Sequence, residues 1–290
     1  MRVIIIGSSG FIGSNIFNFL NKTKKYELTG ITSSEVDLRS KDCHLALSKF
    51  LTSECIVIMC AGVKKQLGDN MDIFGQNLEI INNFCRAISK TPPQKIIYFS
   101  SASVYGEDVA YSEKINESTP VQPGTFYGIA KYATERLLEK TCSENHTKLL
   151  ILRPPLIYGK NDHSLGYGPT GFSYKAINNE VINLWGDGKE YREFMYVKDV
   201  SEIISRVIKI NYNGVVNLVS GKSYNFQQII EFLTESLGSG IKVKECDRTK
   251  TKVDHHYSND LVKTLVGDFK FTSLKNGLAD MCQSIIISRK

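Results

Sequence analysis

The chain has 290 residues, 42% of them hydrophobic and 23% charged, with a formal net charge of +6. That length allows one large domain, or two closely packed ones, with a full apolar core. The charge is mild and the lysines are scattered, which favours a small anionic ligand and lends no support to a nucleic-acid or membrane partner. Seven cysteines, with no Cys-x-x-Cys and no cysteine–histidine cluster at zinc spacing, point to a reduced, cytoplasmic protein without a metal site. The apolar run in Met1–Gly7 is too short for a signal peptide, and no run reaches membrane-spanning length.

Arg2–Ile6 is β-branched and closed by glycine, predicting a buried strand. Gly7-Ser8-Ser9-Gly10-Phe11-Ile12-Gly13 follows, and a helical pattern runs on through Ile16, Phe19 and Leu20. Glycines at this spacing serve a tight turn, backbone approach to a pyrophosphate, and helix-on-strand packing. The helix N-terminus then offers its N–H groups to the anion. Tyr26–Thr32 reads as a strand and Lys41–Leu51 as an amphipathic helix. Ile56–Cys60 reads as a buried strand ending in Ala61-Gly62-Val63-Lys64-Lys65. A helix over about Asp72–Ser89, the Pro92-Pro93 break and a strand Lys95–Ser100 come next. That strand runs into a serine-rich turn, Ser101-Ala102-Ser103-Val104-Tyr105-Gly106, where the bland reading of the serines is backbone capping.

A helix predicted to begin near Thr125 carries Phe126-Tyr127-Gly128-Ile129-Ala130-Lys131. Residues four apart share a helix face, so Tyr127 and Lys131 are neighbours. An ammonium beside a phenol favours the phenolate and lowers a pKa that is ordinarily about 10. Such a pair is also compatible with a half-buried tyrosine beside a solvated lysine. Of the fourteen tyrosines, however, only Tyr127 has lysine four residues on. With Lys148–Arg153 as a further strand, the strand–helix alternation predicts an α/β fold, a doubly wound parallel sheet with ligands at the carboxyl ends of its strands.

Beyond Leu156 the pattern is less regular, and Gly166–Gly171 reads as loop. The helix Val200–Ile210 and strand Val215–Val219 are expected to return to the sheet. Phe226–Leu237, Ile241–Val243, Leu261–Val266 and Ser273–Ile286 are left for a smaller lobe. The expected division is 1–155 with about 190–222 as the dinucleotide-binding domain, and 156–189 with 223–290 as the substrate lobe.

Taken together these motifs resemble the extended short-chain dehydrogenase/reductases of the nucleotide-sugar epimerase/dehydratase/reductase group. The resemblance covers nearly the whole chain and extends to Asn77, Arg153-Pro154-Pro155-Leu156-Ile157-Tyr158-Gly159, Trp185-Gly186-Asp187-Gly188 and Arg192-Glu193-Phe194-Met195-Tyr196-Val197-Lys198-Asp199-Val200. It implies a Rossmann-type fold and a catalytic set of Ser101, Tyr127 and Lys131. It implies dinucleotide binding by Gly7, Ser9, Gly10, Phe11, Ile12, Gly13, Ser33, Asp37, Leu38, Cys60, Ala61, Gly62, Lys64, Asn77, Tyr127 and Lys131. Ser101, Ser103, Tyr127, Arg192 and Arg248 would contact a nucleotide-sugar substrate, the arginines gripping its diphosphate through their planar forks. A homodimer packed through the helices near Asp72–Ser89 and Phe126–Thr141, and a place in cell-surface polysaccharide synthesis, are also implied.

Three departures narrow the reaction. The Asp-Glu pair of the dehydratases is Ala102-Ser103 here, which disfavours water elimination. GDP-fucose synthase has cysteine where this chain has Ser103, which disfavours double epimerisation, although His163 leaves it open. Leu156 replaces an asparagine that contacts the sugar phosphate in many relatives. Gly30-Ile31-Thr32-Ser33-Ser34 holds no acid to bond a ribose 2′-hydroxyl, so NADP is expected, with NAD as the alternative. The reading is an NAD(P)-dependent nucleotide-sugar 4-ketoreductase. The alternatives are a 4-epimerase of the UDP-glucose/galactose type with tightly bound NAD, and a non-catalytic dinucleotide sensor.

Overall fold

The computed structural model describes residues 1–162, 165–248 and 250–289. In chain order the elements are β1 (Arg2–Ile6), α1 (Phe11–Thr23), β2 (Glu27–Ile31), α2 (Cys43–Ser48), β3 (Ile56–Met59), α3 (Met71–Lys90), β4 (Lys95–Phe99), α4 (Phe126–Glu144) and β5 (Lys148–Arg153). They continue with β6 (Leu156–Tyr158), α5 (Pro169–Ile177), β7 (Ile182–Trp185), β8 (Tyr191–Tyr196), α6 (Val197–Val207) and β9 (Gly214–Asn217). The last are β10 (Ser223–Asn225), α7 (Phe226–Leu237), β11 (Val243–Cys246), α8 (Asp260–Val266) and α9 (Leu274–Ile287).

Two compact units divide the chain. The first comprises Met1–Glu107, Pro120–Pro154 and Val200–Asn217. Its six-stranded sheet has the order β2-β1-β3-β4-β5-β9, with every pairing parallel. Val3, Ile4, Ile5, Val57, Ile58, Ile96, Ile97 and Ile151 are completely buried, as strands covered on both faces require. The order reverses at β1/β3, and the loops after these strands are where a doubly wound sheet holds a ligand. Lys95, at the start of β4, is buried and donates to the carbonyls of Val207 and Ile210, at 2.8 Å each, at the end of α6. A cation there adds a donor to carbonyls at and just beyond the end of the helix.

The second unit comprises Asp108–Thr119, Pro155–Asp199 and Leu218–Lys290. It holds a three-stranded sheet, β10-β8-β6, and the parallel pair β11-β7. Two expectations are corrected in this unit. Part of the Gly166–Gly171 stretch is the start of α5, where Pro169 takes the first helical position, which needs no N–H. The sheet-returning segment is Val200–Asn217, narrower than 190–222, because Tyr191–Tyr196 pairs with β6 and β10 here. No helix among the described residues is long and apolar enough to cross a membrane.

Candidate active site

The first loop of the sheet unit is shaped by close approach. Gly7 has φ +84°, and a Cβ on it would stand 2.9 Å from the Ala61 nitrogen; one on Gly13 would overlap the Gly7 carbonyl. Gly10 caps α1 with extended backbone and no side-chain hydrogen bond, and the first turn carries no acid. Ser9 and Gly10 are exposed, Ile12 is half-buried and Phe11 is buried. The helix N-terminus therefore presents its N–H groups outward, as an anion site requires. Lys64 Nζ lies 5.6 Å from the Phe11 ring centroid, which adds a cation at the same end.

The turn after β3 is held by Asn77, which is buried on α3. Its Oδ1 accepts from Val63 N at 2.9 Å, and its Nδ2 donates to Val63 O at 3.1 Å and Ile73 O at 3.0 Å. Asn77 therefore ties the Val63 backbone, at the end of the Cys60-Ala61-Gly62-Val63 turn, to α3. That backbone passes close to Lys131: a Cβ on Gly62 would lie 3.6 Å from the Lys131 ammonium.

The proposed proton-transfer residues meet at the end of β4. Ser101 and Ser103 sit on a short 3-10 turn, with Ser101 Oγ 3.1 Å from Ser103 Oγ. Helix α4 begins beside them. Thr125 Oγ1 accepts from Gly128 N at 3.0 Å, and Asp69 Oδ1 accepts from Tyr127 N at 3.0 Å. Gly128 is small because a Cβ there would come within 2.7 Å of the Ser103 carbonyl. This contact lets the first turn of α4 press onto the serine turn, bringing Tyr127 to Ser101. Burial pushes the Tyr127 phenol up to about 12; its hydrogen bond with Ser101 opposes the shift and the Glu107 carboxylate adds to it. Burial pushes Lys131 down to about 8. The Lys131 ammonium donates to Phe99 O at 2.8 Å and stands 5.7 Å from the Tyr127 ring centroid. The expected lowering of the tyrosine by its lysine is thus corrected: desolvation dominates, and the ammonium is engaged by a backbone carbonyl.

Below this pair lies a buried network. Arg153 Nε and Nη2 donate to the two Glu135 oxygens at 3.0 and 2.6 Å, and Nη1 donates to Tyr105 Oη at 2.9 Å. Tyr105 in turn donates to Asn217 Oδ1 at 2.8 Å, and Ser100 donates to Glu135.

The end of β2 differs from the sequence reading. Glu35 folds back over the turn, its Oε2 accepting from Thr32 N and Thr32 Oγ1 at 2.8 Å each, which holds its carboxyl below the usual range. A carboxylate therefore does stand at the end of this strand, next to the exposed Ser33. Asp37 is gripped by Arg39 through both oxygens, at 3.0 and 2.8 Å, while Leu38 is buried in the core.

In the second unit Arg192 and Arg248 come together on Glu190. Arg248 Nη1 donates to Glu190 Oε2 at 2.7 Å, and Arg192 pairs with the other oxygen. Arg248 Nη2 also reaches Asp187 Oδ1 at 3.3 Å. Leu156 is partly exposed at the start of β6, and His163 lies outside the described residues.

The family model for the NAD dependent epimerase/dehydratase family matches residues 3–226. The chain belongs to that family. Among curated relatives, GDP-6-deoxy-D-talose 4-dehydrogenase of Aggregatibacter actinomycetemcomitans is 24% identical, over 99% of each chain. Among solved structures, UDP-glucose 4-epimerase of Thermotoga maritima with UDP-glucose superposes with TM-score 0.89, at 22% identity and over 100% of both chains. UDP-glucuronic acid 4-epimerase of Bacillus cereus, in complex with UDP-glucuronic acid and NAD, gives TM-score 0.84 at 20% identity, over 98% of this chain and 100% of that one.

For an enzyme of the NAD dependent epimerase/dehydratase family, the first unit fits a dinucleotide. The uncapped start of α1 and the absence of a side chain at Gly62, close to Lys131, are features that such a ligand would use. Reading the sequence missed Glu35, Glu107, Glu135 and Glu190. Only Glu135 had a signal available, as the next residue on the Tyr127–Lys131 helix face at the same spacing of four.

Proposed function

We propose that this protein is a nucleotide-sugar 4-ketoreductase, which reduces the C4 carbonyl of an NDP-4-keto-6-deoxyhexose. One arrangement carries the reading: Tyr127 and Lys131 stand one helical turn apart on α4, the ammonium 5.7 Å from the phenol ring, beside the turn that carries Ser101 and Ser103. A phenol held near 12 keeps its proton throughout the neutral range and gives it only to a stronger base, such as an alkoxide developing at C4. Ser101 holds the C4 oxygen, Ser103 lines the same turn, and Lys131 offsets the charge left on Tyr127. The bound dinucleotide supplies the hydride chemistry. Gly7, Ser9, Gly10, Phe11, Ile12, Gly13 and Lys64 hold its pyrophosphate end, and Arg192 and Arg248 hold the substrate diphosphate. The likeness to a 4-dehydrogenase of a GDP-6-deoxy sugar supports this reading, because that oxidation in reverse is reduction of a 4-keto-6-deoxy sugar.

The cofactor we assign is NADH. The sequence expectation of NADP rested on the lack of an acid at the end of β2, and Glu35 now stands there. Its carboxylate can accept a ribose 2′-hydroxyl and repels a 2′-phosphate, while Arg39 is engaged by Asp37. A homodimer through α3 and α4 belongs to the same reading, supported by the exposed apolar side chains of Met71, Ile129 and Leu137.

The second reading is a 4-epimerase with tightly held NAD. The Lys64 cation beside α1 and the likeness to solved 4-epimerases favour it. Denaturing the purified protein and identifying any released dinucleotide, then following NADH and NADPH with a 4-keto-6-deoxy nucleotide sugar, separates the two. Stoichiometric consumption of added NADH supports the reductase. Retained NAD⁺ with no net consumption supports the epimerase.

A further inference from the structure

Carbonyl reduction at C4 takes up one proton per turnover, and that proton leaves Tyr127. A 4-epimerase returns it to the same tyrosine within the turnover; a reductase must draw a new one from water. The sheet unit contains a route for it. Ser101 Oγ donates to Ser103 Oγ at 3.1 Å, and Ser103 Oγ donates to Glu107 Oε1 at 3.0 Å. Lys65 pairs with the other oxygen, Oε2. The Tyr127 phenol lies beside Ser101, whose hydroxyl draws its pKa down against the effect of burial. The Glu107 side chain is 32% exposed, so the file runs from the buried tyrosine to a carboxylate in contact with solvent. The serine turn and Gly106, at φ +93°, bend the chain so that a residue four positions on returns to Ser103.

We propose that Glu107 recharges Tyr127 through Ser103 and Ser101 after each reduction. This rests on the ketoreductase reading above. In one cycle Tyr127 Oη gives its proton to the C4 oxygen and is left as tyrosinate. Ser101 passes its hydroxyl proton to the tyrosinate, and Ser103 passes its own to Ser101. Glu107, having collected a proton from water, restores Ser103 and returns to the carboxylate that Lys65 stabilises. One proton enters from solvent, one leaves on the product hydroxyl, and each residue ends as it began. The hops between Glu107, Ser103 and Ser101 lie within hydrogen-bond reach, as proton transfer requires. Glu107 is a positioning residue in this scheme, acting on the tyrosine through two hydroxyls.

The test compares wild type with Glu107→Gln, Glu107→Asp and Ser103→Ala, using NADH and an NDP-4-keto-6-deoxyhexose. With enzyme in excess, the first turnover of Glu107→Gln should stay within about twofold of wild type, while its steady-state rate falls about 10²-fold, the low end for proton transfer. A small buffer acid such as imidazole should restore the steady state, Glu107→Asp should regain part of it, and Ser103→Ala should share the steady-state deficit. The second readout needs no turnover: in cofactor-free protein labelled with ¹³Cζ-tyrosine, the Tyr127 resonance should titrate at lower pH in Glu107→Gln than in wild type. An active reductase whose steady state is untouched by Glu107→Gln, or whose Tyr127 titration does not move, overturns the relay alone. Equal losses in first and later turnovers, without buffer rescue, also overturn it. A wild type that interconverts C4 epimers without consuming NADH overturns the reductase reading, and with it the need for the relay.

Discussion

At the scale of single residues, the proposed reading gives two carboxylates, one in each unit, a part in ligand binding. Glu35 is the cofactor determinant under the proposed reading. Replacing it with serine should raise the NADPH-to-NADH ratio of kcat/KM by about tenfold, the equivalent of roughly 1.4 kcal/mol. Steady-state kinetics with both dinucleotides check this, and an unchanged ratio would remove Glu35 from the role. Glu190 sits between Arg192 and Arg248, and with Asp187 it offsets the charge of the two guanidinium groups; under the proposed reading it holds the place of the substrate diphosphate. A diphosphate has to displace it, so Glu190→Gln should tighten the binding of UDP or GDP by about fivefold to tenfold, measured by calorimetry. Tyr127, Lys131 and Ser101 were legible in the sequence because helical spacing and the strand-end turn fix their places. Glu35, Glu107 and Glu190 were not, because what positions them is a turn hydrogen bond, a left-handed glycine and, for Glu190, an arginine 58 residues further along the chain besides its neighbour Arg192.

At the scale of elements, the parallel sheet was legible throughout. Strands such as Ile56–Met59 are apolar at every position, and burial on both faces demands that. The start of α4 was legible to within one residue, since Thr125 is an N-cap by its chemistry. The second unit was harder to read. Its strands β6 and β10 are three residues long, and β8 carries Arg192 and Glu193 in its first half, so no clean period of two or run of apolar residues marks them. The element that matters most for the site is α4, tied to β5 by the Glu135–Arg153 pair, whose side chains are 1% and 6% exposed. Removing one partner leaves a buried charge uncompensated, so Glu135→Ala should cost about 3–5 kcal/mol of stability in chemical denaturation. Replacing both partners by apolar residues should cost less.

At the scale of the molecule, stability should depend on pH through Glu193. It is 2% exposed, and one oxygen, Oε1, accepts from the Ser220 and Gly221 backbone N–H groups while Oε2 has no partner. Burial pushes its carboxyl up to about 7, against the opposing pull of those N–H groups and of Lys114. A folded state that holds this proton more tightly than the unfolded chain gains from it fully below about pH 4.5 and loses that gain as pH rises through about 7. The loss is on the order of 3 kcal/mol, at about 1.36 kcal/mol per pH unit. Glu193→Gln should flatten the fall in Tm between pH 5 and 8; an unchanged slope would assign it to other groups.

Helix α4 carries Tyr127, Lys131 and Glu135 at intervals of four, and each is fixed at its own height: by Ser101, by the Phe99 carbonyl, and by Arg153 with Ser100. A slip of one residue would turn the helix by about 100° and break all three attachments together. Intermediate settings of the helix are therefore closed to it. Preparations weakened by heat or mutation in α4 should contain fewer active molecules, each working at the full rate, rather than a uniform population working slowly. Active-site titration against total protein would count them.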